Sequence, residues 1–413
     1  MTHIIYLEKL MSTADDEKTC RSARTRKNAF TRNRKMPLSK ALSFLLDMRK
    51  TTLQTRLNLY FEQTKSGDPI SQQAFSKLRM NFDHTPFETM VKKTVLDEYS
   101  GKYDLPLFRG CHIFAVDGSY LQLPRADVLR NEFGVRGIGT QPSAGISVLY
   151  DVLHGWALDP IITRTDMNER TECEKHIRFL CEQLPHIAKN SILTIDRGYP
   201  SLDLFTKLQA SGLKFVARCS SAAMKEINTA PMGDSMVVLK TGVCIRIIKF
   251  NLQNGNVETL ASNVFNLSKD SFFELYALRW GVETAYFRLK QELCVEKFSG
   301  KTPNAIRQDF WASMVLLNAV TVFQHDADEA VKERQQYKNI KYVNRARTSD
   351  IIITLRDQFI FAVLCGHPTL CVKDMDAIIK TMARAVSPIR PGRIYKRVFR
   401  PVNAANQNLK SHL

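Results

Sequence analysis

The sequence has no run of about 18 apolar residues, the length a membrane-spanning helix needs. Its N-terminus, MTHIIYLEKLMSTADDEK, meets acids soon after a short apolar patch, so no signal-peptide h-region is read there. No C-x-x-C pair occurs among nine scattered cysteines. Odd in number and irregularly spaced, these fit reduced thiols of a cytoplasm better than a disulfide frame. Cys365, His367 and Cys371 lie close together in CGHPTLC, but the further ligands of a zinc site are missing, so core thiols are expected. A G-x-x-x-x-G-K-[ST] loop is absent, which argues against an ATP requirement. No internal repeat or long low-complexity tract is found. Acids are in deficit: 41 Asp and Glu stand against 59 Lys and Arg, a net charge of +18. Such an excess favours a polyanionic partner, although basic chains also serve membranes and ribosomes.

What is present is globular: 44% apolar and 24% charged residues over 413 positions, enough for two or three domains. Residues 17–40 form a basic segment expected to be a mobile arm or a poorly packed start. Pro37 opens a helical pattern, and a second apolar-periodic stretch passes through Leu53, Leu57, Tyr60 and Phe61. A Gly-Asp-Pro turn and a Ser71 cap then start a short helix carrying Gln72, Gln73, Lys77 and Arg79, followed by TPFETMVKKTVLDEY. A helix-turn-helix-like DNA reader and a plain helical bundle with a basic outer face fit these residues equally. The middle of the chain alternates: strands in CHIFAVDGSYLQL, 145–153 and 155–164, a helix over 169–184, a strand into SILTIDRGY, a short helix over 202–209, and the strand LKFVAR. Pro160 marks the third strand as an edge or a strand end. Residues 219–266 break the alternation with hairpin-like segments and a turn at Asn254-Gly255. A long helix capped by Ser268 follows, and another runs from Pro303 to about His325. The remainder reads as helical and basic, ending in a tail from Ile389 that has no acid.

The segment Tyr276-Ala-Leu-Arg-Trp-Gly-Val-Glu-Thr-Ala-Tyr-Phe-Arg-Leu-Lys290 spaces Tyr276, Arg279, Glu283 and Lys290 at three, four and seven residues. On a regular helix these tips share an arc of roughly 60°. A carboxylate among cations suits a metal-dependent phosphodiester site, but Arg and Glu four apart more often make a solvated salt bridge. Two aspartates tip the balance. Asp117 is expected to end the first strand and Asp196 the fourth, and strand ends in an open α/β sheet face the ligand crevice. Either aspartate alone reads as a turn residue. Together with Glu283 they make three converging acids, which repel one another unless cations such as two Mg²⁺ or Mn²⁺ ions, roughly 4 Å apart, are bound.

On these residues the chain resembles the insertion-sequence-four family of bacterial DDE transposases, marked by Tyr-x2-Arg-x3-Glu-x6-Lys. Tyr276, Arg279, Glu283 and Lys290 fit that spacing, and Asp117-Gly118, Asn168-Glu169-Arg170 and Asp196-Arg197-Gly198-Tyr199 sit in similar settings. The likeness covers about residues 108–325.

It implies an α/β ribonuclease H-like catalytic domain with a β-rich insertion, preceded by an α-helical DNA-binding domain. The expected division is a basic segment at 1–36, a helical DNA-binding domain at 37–105, and a catalytic domain at 106–325 containing the insertion 219–266. A helical C-terminal region with a basic tail fills 326–413. Asp117, Asp196 and Glu283 would bind two Mg²⁺ or Mn²⁺ ions, and Tyr276, Arg279 and Lys290 would hold phosphates near the element end. The implied activity is cut-and-paste transposition. The partners would be double-stranded DNA (terminal inverted repeats and target) and a second copy of the chain, at the nucleoid of a bacterial cytoplasm. A base-stacking aromatic from the insertion is implied as well. Trp156, Trp280 and Trp311 all lie outside it, and it offers only Phe250 and Phe265, so none is assigned; Trp280 is read as helix packing. Competing readings are an inactive or domesticated DNA-binding relative, and a ribonuclease H-like nuclease or resolvase without strand transfer.

Overall fold

The structure, a computed structural model, describes residues 1–390 except 33, 221–223, 253–254, 337–338 and 365–367, and no side chains over 359–374. Cys365, His367, the Cys371 side chain, the Asn254 turn position and the tail beyond Arg390 therefore lie outside the described residues. In chain order come α1 (His3–Asp15), α2 (Glu17–Ser22), α3 (Leu38–Leu45), α4 (Leu53–Gln63), α5 (Gln72–Arg79) and α6 (Thr85–Glu98). Next are β1 (His112–Gln122), α7 (Asp127–Phe133), β2 (Ser143–Asp151), β3 (Ala157–Arg164), α8 (Glu169–Gln183), α9 (Pro185–Lys189), β4 (Ser191–Ile195), α10 (Leu202–Ala210) and β5 (Lys214–Cys219). Then follow α11 (Lys225–Thr229), β6 (Gly233–Val238), β7 (Cys244–Asn251), β8 (Val257–Ser262), α12 (Lys269–Leu278) and α13 (Trp280–Phe287). After a π-helical turn at Arg288–Glu292 come α14 (Pro303–Gln335), β9 (Asn344–Ala346), α15 (Thr348–Leu364), α16 (Pro368–Met382) and β10 (Val386–Pro388). Among the described residues no helix is long and apolar enough to cross a membrane.

The chain divides into two compact units. One comprises Met1–Thr94, Leu123–Leu129 and Leu289–Leu413; the other, Val95–Gln122 and Arg130–Arg288. The second unit is mixed α/β around one large sheet of order β3-β2-β1-β4-β5-β8-β7-β6. Strand β1 runs antiparallel to β2 and parallel to β4, and β4 runs parallel to β5. Every residue of β2 and β4 is buried, as expected of strands covered on both faces. Strand β3 is the sheet edge, a position where a proline such as Pro160 is tolerated.

The expected insertion is not set apart from this sheet. Strand β8 pairs antiparallel with β5, and β7 and β6 extend the ladder. Ile248 and Leu260 share one buried cluster with Ile113, Ile192 and Val216 of the first strands and with Phe272 and Leu275 of α12. The intervening strands therefore complete the core of this unit.

The first unit corrects the expectation of a mobile arm over 17–40. Asp16 caps α2 by accepting from Thr19 N at 3.0 Å, Thr25 N donates to Asn81 O at 3.1 Å, and Ala23, Ala29 and Met36 are buried. Preceding it, α1 packs on α14: Tyr6 is fully buried and its hydroxyl donates to Val315 O at 2.7 Å. Helix α14 is capped by Thr302 with Pro303 in its first turn, and runs to Gln335, well past the expected end near His325. Its stretch from Phe310 to Gln324 is buried on all sides, which marks a central helix and not an amphipathic surface one. The C-terminal region is not wholly helical, because β9 and β10 form a small antiparallel pair.

Helix α5 starts at its Ser71 cap as expected, but Arg79 is turned inward. It is 4% exposed and pairs with Asp309 at 2.9 Å, while Gln72, Gln73 and Lys77 remain exposed. Arg79 thus holds the bundle together and is not available on a DNA-reading face.

Candidate active site

The parallel ladder between β1 and β4 ends at the pair Val116–Ile195, and that between β4 and β5 at Ile195–Ala217. The next residue on each strand is Asp117, Asp196 and Arg218. With neighbouring strands about 4.8 Å apart, the three side chains stand in a row across the sheet. Asp196 follows the end of β4 as expected. Asp117 does not end β1, which continues to Gln122 paired with β2; Asp117 itself is opposite Val148. What ends just before Asp117 is the ladder with β4, so the row lies where the sheet opens on that side. The Gly118 N–H donates to Asp117 Oδ1 at 2.9 Å.

Glu283 arrives on α13. Tyr286, one turn further on, donates from its hydroxyl to the Asp117 carbonyl at 2.7 Å and thereby docks the helix on β1. Gly281 permits the close approach: a Cβ there would lie 3.2 Å from the Val152 Cβ. Arg279 Nη2 donates to Glu283 Oε1 at 2.8 Å and lies 3.7 Å from Asp196 Oδ2. Tyr276 donates to Asp196 Oδ1 at 3.2 Å, and Arg218 Nη1 is 3.8 Å from the same oxygen. Arg218 in turn pairs with Glu258 of β8, as does Arg197 at 3.3 Å.

Asp117, Asp196, Glu283, Tyr276 and Arg279 are therefore gathered within one unit. The single regular helix expected to carry the stripe is broken into α12, α13 and a π-helical turn, and a wider turn of this kind shifts the residues that follow it. Lys290 sits on that turn and belongs to the other unit. Trp280, expected to pack, is 52% exposed. Phe250 is partly buried and packs edge-on against Phe273 with centroids 4.4 Å apart, and Phe265 is half exposed.

Burial raises the Asp117 carboxyl to about 6. Arg279 and the Gly118 N–H oppose that rise, while Asp196 and Glu283 add to it. Asp117 therefore senses both of the other acids. As placed, no three His, Cys, Asp or Glu among the described residues lie close enough to hold a metal ion. The Arg279 guanidinium, only 3% exposed, stands between Asp196 and Glu283 as their counter-charge. Arg218, Glu258 and Tyr286 were missed in the sequence. Arg218 is signalled only by being the last basic residue of a strand, which becomes meaningful once the strand register is known.

A family model described as the transposase DDE domain matches residues 111–319. No curated protein matches the sequence. Among solved structures, the chain is similar to the cryo-EM structure of a piggyBac transposase synaptic complex with hairpin DNA. That likeness has a TM-score of 0.47 and 10% identity, and covers 91% of this chain and 85% of that chain.

Proposed function

Since this chain belongs to the transposase DDE-domain family, we propose that it is the cut-and-paste transposase of a bacterial insertion sequence of the insertion-sequence-four kind. The reading is carried by one observation: Asp117 and Asp196 stand side by side beyond the last β1–β4 pair, and α13 brings Glu283 to them through Tyr286 and Arg279. The order β3-β2-β1-β4-β5, with β2 antiparallel, supports a ribonuclease H-like core. The family resemblance likewise supports the assigned division into a basic segment 1–36, a helical DNA-binding domain 37–105, the catalytic domain 106–325 and the C-terminal region.

The donor set fits a hard divalent cation. It is all carboxylate oxygen, and the burial and like charge that push Asp117 up are what a bound cation relieves. Asp117, Asp196 and Glu283 would hold the ions, two Mg²⁺ or Mn²⁺. When bound, they supply Lewis acidity for attack by water or a 3′-hydroxyl and for departure of the opposite oxygen. Without ions, Arg279 keeps the acids together by its charge, and Tyr276 holds Asp196 by its hydroxyl. Both then lie at the place where DNA phosphate enters, with Lys290 as a third phosphate contact. The DNA partners are the element ends and a target duplex, handled by a homodimer so that two active sites serve two ends.

A nicking and joining assay on duplexes carrying the element ends tests this, with Mg²⁺, Mn²⁺ or EDTA. Asp117→Asn, Asp196→Asn and Glu283→Gln should each slow nicking by roughly three orders of magnitude, about 4 kcal/mol of barrier. Joined donor–target products should appear with the wild-type chain. Full activity of Glu283→Gln, or nicking in EDTA, refutes the site; nicking without joining refutes transposition.

A further inference from the structure

Two glycines beside the aspartates are not explained by the triad. Gly118 follows Asp117, and Gly198 lies two residues after Asp196; neither has the positive φ that would demand glycine. Both make room for one carboxylate. A Cβ on Gly198 would stand 2.5 Å from Glu169 Oε2, and one on Gly118 would stand 3.3 Å from Glu169 Oε1 and 3.0 Å from Met167 Cε. Glu169 thus rests against the backbone next to each catalytic aspartate. Its position is set by α8, whose Asn168 cap accepts from Arg170 N at 3.0 Å. Arg170 also donates to the carbonyls of Tyr199 at 3.1 Å and Pro200 at 3.3 Å, which ties the start of the helix to the loop that follows Asp196.

Among the described residues Glu169 makes no hydrogen bond or ion pair. A carboxylate in the first turn of a helix gains from the dipole, but that gain needs no cradle of two glycines. A second, independent observation concerns Tyr199. This side chain is 1% exposed and its hydroxyl has no partner. Burial holds that hydroxyl well above its ordinary range, and the charges of Asp117 and Glu169 add to the effect. An unpartnered buried hydroxyl costs about 1–3 kcal/mol, and native proteins rarely leave one unanswered.

We propose that Glu169 is a fourth carboxylate of the divalent-ion site, with the Tyr199 hydroxyl directed at the space the four acids enclose. The inference rests on the reading of Asp117, Asp196 and Glu283 as metal-holding residues. It also balances charge: three carboxylates fall one short of the +4 of two divalent ions, and a fourth closes the gap. Glu169 holds and positions the ions; it is not assigned a part in the phosphoryl chemistry.

Calorimetric titration of Mn²⁺ into the full-length chain, without DNA, tests the proposal. Glu169→Gln keeps the volume and removes the charge. Gly198→Ala keeps the charge, and its Cβ displaces only the far end of the Glu169 side chain. Both should weaken Mn²⁺ binding by about 10- to 100-fold. Glu174→Gln, on the same helix but paired with Lys207, should bind as the wild type does. In EDTA, Glu169→Gln should melt no lower than the wild type, because it removes one of four like charges. If Glu169→Gln and Gly198→Ala bind Mn²⁺ like the wild type while Asp117→Asn does not, the fourth carboxylate is refuted and the triad stands. If Asp117→Asn also binds like the wild type, the metal reading of the triad fails with it.

Discussion

Asp117 sits under electrostatic tension in the site. Burial, then the neighbouring Asp196 and Glu283, hold its carboxyl at about 6, against an ordinary value of 3.8. A carboxyl raised on folding favours the protonated native state. Its ionised form therefore costs stability, and the penalty grows as pH rises from about 4 to about 6 and is constant above. Two pK units correspond to roughly 3 kcal/mol, taken as an upper figure. Asp117→Asn should accordingly be more stable than the wild type by about 1–3 kcal/mol at pH 8 in EDTA, with the advantage gone near pH 4. Thermal melts at the two pH values check this. An equal shift at both would show that packing, and not charge, is responsible. Destabilisation of this kind is common where function needs like charges together.

Among the elements, α5 and α14 show how a helix that looks like a reader can be anchored from behind. Arg79 ends α5 and donates to Gln308 at 2.9 Å, Ser299 at 2.8 Å, the Ala305 carbonyl at 3.2 Å and Asp309 at 2.9 Å. Burial would raise the Asp309 carboxyl, but Arg79, the Ser299 N–H and Lys50 hold it below its ordinary range. Stability from such a depressed group is full above its unfolded value and is lost as pH falls through the folded one. Arg79→Met strands a buried charge and should cost about 3–5 kcal/mol at pH 7 in urea unfolding. The loss should shrink in acid, where Asp309 takes up its proton. A cost under about 0.5 kcal/mol would mean an ordinary surface arginine, as a basic outer face of the bundle implies. Helix caps were legible at this scale, because Ser71 and Ser268 act within one turn of themselves. Arg79 was not, because its partners are more than 200 residues away in the chain.

For the whole molecule the governing quantity is the charge of +18. If DNA is its partner, phosphate neutralisation releases counterions and makes affinity depend steeply on salt. A protein contacting about six phosphates loses roughly three orders of magnitude between 50 and 200 mM salt. Fluorescence anisotropy with a labelled duplex should show that fall, and a flat response would refute binding through charge. The two units also show that composition carries no map of division. Residues 289–390 return to the unit begun by the first helices, while the strands of 233–262 join the sheet begun at His112.

By itself, the sequence determined those features that act within a few turns or one strand. The Tyr276, Arg279 and Glu283 spacing is one, because residues three and four apart meet on any helix. The strand that runs up to Asp196, the placing of Pro160 at an edge or a strand end, and the helix that starts after Asn168 are others. Only the tertiary structure decided that Asp117, Asp196 and Arg218 share one register, since pairing between strands is a non-local choice. It also turned Arg79 inward, packed the basic N-terminal segment, made the insertion part of the main sheet, and laid Glu169 against Gly118 and Gly198. In each case the partner is distant in sequence, and its identity emerges only when packing brings the two together.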